Sequence, residues 1–274
     1  MRLWPTRRPV LTDRFPPPEV PFTEAYGATH VAFLQAMLAD EERLGILRGG
    51  KRLPRGYGVA LDERVVEFPW LLAQQPRGRV LDAGSVLNHP HVLDAFLPVI
   101  DTLTIATLVT EPHTFPERGV TYVESDLRTM PFDDDAFDTV ICASTVEHIG
   151  MDNTMYGSDE PRADDPPAEQ RRAIAELLRV TAPGGRVFLT VPFGLREDHG
   201  WFRQLNHEDL VDLLSEVPPD RRTVEIFGYD AKGWQRRRAG EVAGHAYRDV
   251  HADPRPVADR AAAARAVACI TISA

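Results

Sequence analysis

The chain has 274 residues, of which 43% are hydrophobic and 26% are charged, as is usual for a folded protein with a sizeable core. Its 41 acidic residues outnumber the 31 Lys and Arg residues, so bulk charge does not indicate a nucleic-acid-binding surface. No stretch approaches the roughly 18 consecutive apolar residues of a membrane span, and no apolar leader is visible, so we expect a soluble cytoplasmic protein. The cysteines, Cys142 and Cys269, lie in apolar runs and indicate neither disulfides nor a metal site.

The N-terminal part, residues 1–75, is predicted to be an extension followed by a helical cap. Residues 2–21 are rich in Pro and Arg without any period, so we expect them to run extended over the surface. Thr23 can cap a helix that continues to Leu38, because apolar residues recur there at helical spacing. A second helix is expected to begin near Asp62.

The centre of the chain alternates short apolar runs with helical patterns, which is typical of a parallel sheet flanked by helices. The first five runs are nearly continuous, as expected for strands buried on both faces. The predicted strands are Arg79–Asp82, Leu103–Leu108, Val120–Val123, Asp138–Cys142 and Arg186–Val191, followed by two closing strands, Thr223–Tyr229 and Ala266–Ile272.

Helices are predicted between the later strands. One runs from Ala168 to Thr181 and is ended by Pro183-Gly184-Gly185. Asn206 caps another helix that continues through Val217. The last two strands are separated by about 35 irregular residues, and a loop that long is expected to contain a helix of its own, around Gln235 to Ala243.

Polar turns follow four of the predicted strands: Asp82–Ser85, Ser125–Arg128, Ser144–His148 and Val191–Gly194. In open α/β sheets, ligands bind beyond the carboxyl ends of the strands, near the point where the strand order reverses. The four turns therefore predict a site at one edge of the sheet.

The motifs V-L-D-A-G, D-L-R-T-M-P-F-D-D-D-A-F-D-T-V, a strand before E-H, and L-L-R-V-T-A-P-G-G-R-V-F-L-T-V-P occur in this order. Over residues 79–194 the chain thus resembles the class I S-adenosylmethionine-dependent methyltransferases, in particular the small-molecule branch that includes the ubiquinone and menaquinone enzymes. The resemblance implies a Rossmann-like α/β domain over residues 76–274, with seven mainly parallel strands, the last antiparallel, and helices on both faces. It also implies S-adenosylmethionine as the cofactor.

The first turn is where the resemblance places the methionine part of the cofactor, on Asp82, Gly84 and Ser85. Glycine lets backbone amides approach closely, and the carboxylate can accept from an ammonium group or orient the turn. The alternative to cofactor binding here is an ordinary strand-to-helix turn in which Asp82 only caps the helix. The family usually has three glycines at alternate positions here, whereas Gly84 is followed by Ser85-Val86-Leu87-Asn88.

The next turns are expected to hold the rest of the cofactor. By resemblance, Asp126 accepts from the adenine amino group while Leu127 packs or offers its backbone, although Asp126 can also be an ordinary turn residue. The acidic residue that binds ribose in the family would fall near Thr107, which is not acidic. Glu111 could reach the same place after a longer turn or be a surface residue. Ser144 completes the expected cofactor set.

His148 is the candidate catalytic base, because an unperturbed His, with a pKa of about 6.5, can take the proton of a hydroxyl or ammonium acceptor. The alternative role for His148 is a structural or substrate-orienting one. For His199 and Trp201, the alternative is packing under the next helix. The acidic run to Pro167 leaves open both a cationic acceptor and a solvated face. The expected substrate-binding residues are Glu147, Asp152, Asn153, Tyr156 and His199.

Two further patterns are given little weight. His89 and His91, with Glu111 and His113 not far along the chain, lack the spacing of a convincing metal site, so no metal is expected. The basic run Arg236–Arg238 could bind phosphate or nucleic acid, but a solvent-facing turn is favoured in a chain of net charge −10.

The sequence therefore predicts methyl transfer from S-adenosylmethionine to a small molecule, preferably at an oxygen, or a nitrogen, of a sugar or natural-product scaffold. No nucleic-acid or membrane partner is expected, and a homodimer stays open. The alternative is a non-catalytic or regulatory module that keeps the fold, which the missing glycines and ribose acid motivate. A nicotinamide-dependent oxidoreductase is disfavoured because G-x-G-x-x-G is absent after the first strand.

Overall fold

The computed structural model describes residues 10–250 and 252–274. Eight strands form one sheet in the order β3-β2-β1-β4-β5-β10-β8-β9. Strands β1 to β5 pair in parallel, β10 is antiparallel to both β5 and β8, and β9 is antiparallel to β8. The strands are β1 (Arg79–Ala83), β2 (Thr102–Thr107), β3 (Val120–Glu124), β4 (Phe137–Ala143), β5 (Thr181–Pro192), the separate short pair β6 (Glu197–Asp198) and β7 (Arg203–Gln204), β8 (Arg222–Asp230), β9 (Gly233–Arg237) and β10 (Ala266–Ser273).

Helices cover both faces of the sheet. They are α1 (Leu11–Arg14), α2 (Glu24–Leu38), α3 (Glu41–Arg48), α4 (Arg64–Ala73), α5 (Pro90–Phe96), α6 (Pro166–Arg179), α7 (His207–Leu213) and α8 (Ala239–Val242). Short 3-10 turns lie at Leu97–Val99, Pro116–Arg118, Val146–His148, Thr154–Tyr156 and Pro219–Arg221. The predicted α/β class with helices on both faces is confirmed.

The N-terminal helices share one core with the sheet. Phe33 of α2 and Trp70 of α4 belong to the same cluster of buried side chains as Phe188 of β5. Trp70 lies edge-on to Phe188 with ring centroids 6.1 Å apart, and its indole N–H donates to Glu225 at 2.9 Å. The helix predicted after Thr23 is confirmed over α2, and Thr23 caps it by accepting from the Tyr26 amide. The division at residue 75 stays a prediction.

The prediction of seven strands was one short, because β9 lies where a helix around Gln235 to Ala243 was predicted. A tight turn joins it to β8: the Lys232 amide donates to Asp230, and Gly233 takes a positive φ of 98°. Trp234 then points into the core. The helical prediction was wrong for the first part of this stretch, because hairpin pairing with β8 extends to Arg237. Only α8 is helical there.

The basic run has its own partners in this hairpin. Arg236 pairs with Glu225 and lies 4.7 Å from the Phe227 ring centroid, and Arg237 pairs with Asp230 at 2.9 Å. Among the residues the structure describes, no helix is long and apolar enough to cross a membrane.

Several boundaries differ from the predictions. The helix that Asn206 caps ends at Leu213 rather than at Val217. The helix α6 begins two residues early, at Pro166, because proline is tolerated in a first helical turn and Asp165 caps it by accepting from the Ala168 amide. Residues 183–185, predicted to end that helix, lie inside the irregular start of β5, where the pairing with β4 shifts register. At the N-terminus, residues 1–9 of the predicted extension lie outside the described residues. Within the rest of that extension, α1 is helical rather than extended.

Candidate active site

A cavity of about 440 Å³ opens at the carboxyl ends of β1 to β4, where β1 and β4 lie side by side and the strand order reverses. This volume falls within the roughly 300–1,000 Å³ typical of small-molecule sites. The structure brings nine of the predicted site residues together in its wall: Gly84, Ser85, Glu111, Asp126, Leu127, Ser144, His148, Asn153 and Tyr156. Four others lie outside the wall: Asp82, Glu147, Asp152 and His199.

The turn after β1 is shaped by a buried carboxyl group. Asp82 is fully buried and accepts from the amides of Val86 and Leu87, at 3.3 and 2.7 Å. Burial raises the pKa of Asp82 to about 7, although these two amides oppose the shift. Of the two roles considered for Asp82, the geometry therefore favours orienting the turn. Ser85, in the place of a family glycine, has a positive φ of 64°.

Gly84 is the residue of this turn for which a side chain has no room. Its φ is 120°, and a Cβ built on it would lie 2.1 Å from Oγ1 of Thr145, in the turn after β4. The two turns therefore meet at this residue, and their close approach forms the floor of the cavity.

The turn after β2 brings Glu111 into the cavity wall. Its carboxylate accepts from Asn88 Nδ2 at 3.2 Å and lies 3.5 Å from Oγ1 of Thr107 at the end of β2. Glu111 thus lies beside Thr107, the position at which the family usually has the acidic residue that binds ribose. Its role on a ribose stays a prediction, but the alternative of a surface residue remote from the site is disfavoured.

The turn after β3 contains an ion-pair cluster that the sequence did not predict. Arg128 binds Asp126 through its backbone amide and guanidinium, and it also binds Glu160 and Glu169. Burial raises the pKa of Asp126, but these bonds from Arg128 outweigh it, so the pKa is lowered on balance. The expected adenine acid is therefore ionised, and Arg128 ties it to Glu160 on the loop before α6.

The turn after β4 is joined to the N-terminal cap by Glu67 of α4. Glu67 is fully buried, and its carboxylate accepts from Ser144 Oγ, Thr190 Oγ1 and Arg64 Nη1, each at 2.6 Å. Arg64 itself lines the cavity. Sequence reasoning missed both residues, although a carboxylate inside the apolar run of residues 65–73 was a signal of a buried polar role.

His148 follows in the same turn and lines the cavity. Its Nδ1 donates to the backbone oxygen of Trp201 at 2.9 Å, because a carbonyl can only accept. Neutral His148 therefore has its lone pair on Nε2. Burial, helped by Arg64 and opposed by the Trp201 carbonyl, lowers the pKa of His148 to about 4. The ring is neutral near pH 7.

Glu147 lies behind this wall and is 2% exposed. Its Oε1 is 4.0 Å from Nε2 of His148, and within the described ranges its Oε2 has no hydrogen-bond partner. Burial raises the pKa of Glu147 well above its ordinary value. Because Glu147 is not part of the cavity wall, its expected role in substrate binding stays a prediction.

The loop after β4 supplies the outer wall. Asn153 donates to the backbone oxygen of His148 at 3.0 Å, and the Tyr156 ring lies 5.4 Å from the His148 ring. Asp152 is exposed and caps the following turn through Thr154.

Behind the aromatic side of the cavity, His199 stacks on Phe202 with ring centroids 4.5 Å apart. It also lies 3.6 to 3.8 Å from Asp249 and Glu197. This favours packing for His199, whereas Trp201 contacts both His148 and Tyr156.

No group of three metal-ligating side chains is found in the described part of the chain. His89 and His91 stack at 5.7 Å instead, and burial lowers the pKa of both.

An open sheet of this strand order, with a cavity at the ends of its first four strands, defines an α/β protein of the class I methyltransferase fold. The comparisons with known proteins agree. Residues 101–189 match the model of a family described as a methyltransferase domain. Over these residues the chain is therefore similar to methyltransferase domains.

Two curated relatives come from the quinone branch. A demethylmenaquinone methyltransferase of Clavibacter sepedonicus is 30% identical over 166 residues, covering 51% of this chain and 60% of that protein. The ubiquinone/menaquinone biosynthesis C-methyltransferase UbiE of Idiomarina loihiensis is 26% identical over 149 residues, covering 46% of this chain and 52% of that protein. The chain therefore spans only somewhat more than half the length of these relatives. Among solved structures, the YcgJ protein of Bacillus subtilis is 14% identical with a TM-score of 0.47, covering 76% of this chain and 97% of that one.

The residues of the wall fit S-adenosylmethionine, the cofactor that the match to a methyltransferase domain indicates. The wall contains the guanidinium of Arg64 as well as the carboxylates of Glu111 and Asp126, which lie in the turns after β2 and β3. Ser85 also has a buried hydroxyl oxygen without a partner among the described residues. A ligand with a carboxylate at one end and hydroxyl and amino donors at the other matches this set.

Proposed function

We propose that this protein transfers the methyl group of S-adenosylmethionine to a small-molecule acceptor at an oxygen or a nitrogen. One observation carries the proposal. The wall of a single cavity contains both the turns after β1 to β4, which are expected to hold the cofactor, and a neutral His148. The quinone methyltransferases among the relatives support a small-molecule acceptor. A sugar or natural-product scaffold remains our expectation for its class.

In this proposal the cofactor lies along the turns. Arg64 pairs with the methionine carboxylate, since it is bound by one carboxylate, that of Glu67, whereas the other arginine of the wall, Arg128, is bound by three. Glu111 accepts from the ribose hydroxyls, and Asp126 accepts from the adenine amino group. The cofactor supplies an electrophilic methyl group on a positively charged sulfur.

The chain's own residues contribute placement and exclusion of water. Methyl displacement needs an aligned acceptor more than strong acid catalysis. His148 Nε2 holds the acceptor's proton by accepting a hydrogen bond from it, while the rings of Tyr156 and Trp201 bound the acceptor. Asn153 fixes the backbone that carries His148.

The test is calorimetric titration with S-adenosylmethionine and S-adenosylhomocysteine. We expect wild-type binding and about a ten-fold loss in Glu111→Gln, which corresponds to roughly 1.4 kcal/mol, a usual value for a hydrogen bond to a charged group. Glu117→Gln, at an exposed position on the neighbouring turn, is the matched control and should bind as the wild type does. Failure of the wild type to bind either compound would overturn the proposal and favour the non-catalytic module.

A further inference from the structure

A second cavity, of about 510 Å³, is lined by residues of α7, β8 and β9 and of the segments beside them. It shares no wall residue with the candidate active site. Its volume lies within the roughly 300–1,000 Å³ that is typical of small-molecule sites. Apolar side chains form about half of the wall, and four arginines form most of the remainder: Arg222, Arg236, Arg237 and Arg238. The wall is therefore both apolar and basic, in a chain whose net charge is −10.

The apolar part of the wall comes mainly from α7 and from one face of β8. Leu210, Leu214 and Ile226 are buried, whereas Val211 and Val224 are 50% and 42% exposed. Single exposed apolar side chains are common on protein surfaces, but these two valines line the same cavity. An apolar group bound there would remove both from water, which is favourable.

Three of the four arginines already have carboxylate partners. The pairs are Arg236 with Glu225, Arg237 with Asp230 at 2.9 Å, and Arg238 with Glu241 at 3.6 Å. Glu225, the acidic residue of the wall, also accepts from the Trp70 indole. The wall therefore offers no unmatched acid to a cationic ligand.

Arg222 is the arginine of the wall that lacks a carboxylate partner. Among the described residues its guanidinium forms no ion pair, and it donates to one acceptor, the backbone oxygen of Leu214. A guanidinium has five N–H donors, so the others stay available to a ligand. Because Leu214 lies at the C-terminal end of α7, this contact holds the guanidinium in place before a ligand binds.

Arg222 is also in line with the apolar side chains of its own strand. Side chains two residues apart on a strand point to the same face, so Arg222, Val224 and Ile226 follow one another along the cavity wall. They span about 13 Å, at roughly 3.3 Å per residue. An anionic group on Arg222 would therefore lie at one end of an apolar strip.

We propose that this cavity binds a small amphipathic anion, a carboxylate with an alkyl chain of medium length. The carboxylate binds the guanidinium of Arg222, whose planar fork matches its two oxygens. The chain lies along Val224 and Ile226 and covers Val211. A neutral ligand would leave Arg222 unmatched, and an anion without a chain would leave the two valines in water.

The test is calorimetric titration of the full chain with octanoate, 1-octanol and acetate. Octanoate has both the charge and the chain, whereas 1-octanol lacks the charge and acetate lacks the chain. We expect octanoate to bind at least ten-fold more tightly than either, and its affinity to fall as the salt concentration rises. No cofactor is present, so the outcome is independent of the proposed function.

Two pairs of variants locate the site. Arg222→Gln should bind octanoate at least ten-fold more weakly, whereas Arg221→Gln, at the exposed neighbouring arginine outside the wall, should bind as the wild type does. Val211→Glu should also weaken octanoate binding at least ten-fold, because it places an acid in the wall and removes apolar surface. Val99→Glu changes a valine that is also 50% exposed but lies outside this cavity, and it should have no effect.

Urea unfolding reports whether each variant folds. Because Val211 is exposed, the second pair keeps the test decisive if Arg222→Gln is unstable through loss of its contact with Leu214. Octanoate binding no tighter than that of 1-octanol or acetate, or wild-type octanoate affinity in folded Arg222→Gln or Val211→Glu, would overturn the inference. No octanoate binding at all would also overturn it, and would favour an acidic segment of a partner protein as the occupant.

Discussion

Replacing Glu67 should cost more stability than its position in the first turn of a short helix suggests. Three donors converge on its buried carboxylate, and one of them is the guanidinium of Arg64. In Glu67→Ala the hydroxyls of Ser144 and Thr190 lose their acceptor while Arg64 is left unpaired. Breaking a buried ion pair from one side costs about 3–5 kcal/mol, a large part of the roughly 5–15 kcal/mol that holds a domain folded.

Glu67→Gln separates the two parts of this cost. Its carbonyl oxygen can still accept from the hydroxyls, so only the ion pair and hydrogen bond with Arg64 are lost, and we expect about 1–3 kcal/mol, the value of hydrogen bonds to charged groups. Urea unfolding can be followed by tryptophan fluorescence, since Trp70 is buried in the same helix. The exposed Glu19→Ala is the control and should unfold as the wild type does. Equal losses in the Ala and Gln variants, or a loss below 1 kcal/mol in Glu67→Ala, would refute the reasoning.

Three further outcomes concern residues in the cavity wall or directly behind it. Gly84→Ala should bind S-adenosylhomocysteine at least ten-fold more weakly by calorimetry, because its Cβ would meet Thr145 at 2.1 Å; wild-type affinity would contradict the described turn. Asp82 has a folded pKa of about 7 against roughly 3.9 when unfolded, so stability should fall as pH rises from 4 to 7, and Asp82→Asn should flatten that slope in urea titrations. Glu160→Gln should release S-adenosylhomocysteine faster in stopped flow, since it removes one tie to Arg128, whereas an unchanged rate would argue against a closing role for this loop.

The strands and the cofactor turns could be predicted because their signals are local. Buried parallel strands are continuous apolar runs, and the turns that follow them fall at one edge whatever the rest of the fold does. The strand β9 was missed because its signal is not local. Its residues form a strand only because β8 is there to pair with, and that pairing places Trp234 in the core and Arg236 over Phe227.

The electrostatics of the site depend on residues far apart in the chain. Glu67 meets Ser144 across 77 positions, and Arg128 meets Glu169 across 41. Neither spacing forms a motif, because it is set by how α4 and α6 pack on the sheet.

The same packing decides the chemistry of His148. Its pKa is lowered by burial, and its tautomer is fixed by a carbonyl 53 residues away. From sequence alone, His148 was expected to be a base with an ordinary pKa. In the folded chain its ring is neutral, with Nδ1 donating to the Trp201 carbonyl and the lone pair on Nε2 left to accept. The place of His148 in the cavity wall could be predicted from the turn after β4, whereas its protonation state could not, because that depends on burial by residues distant in the chain.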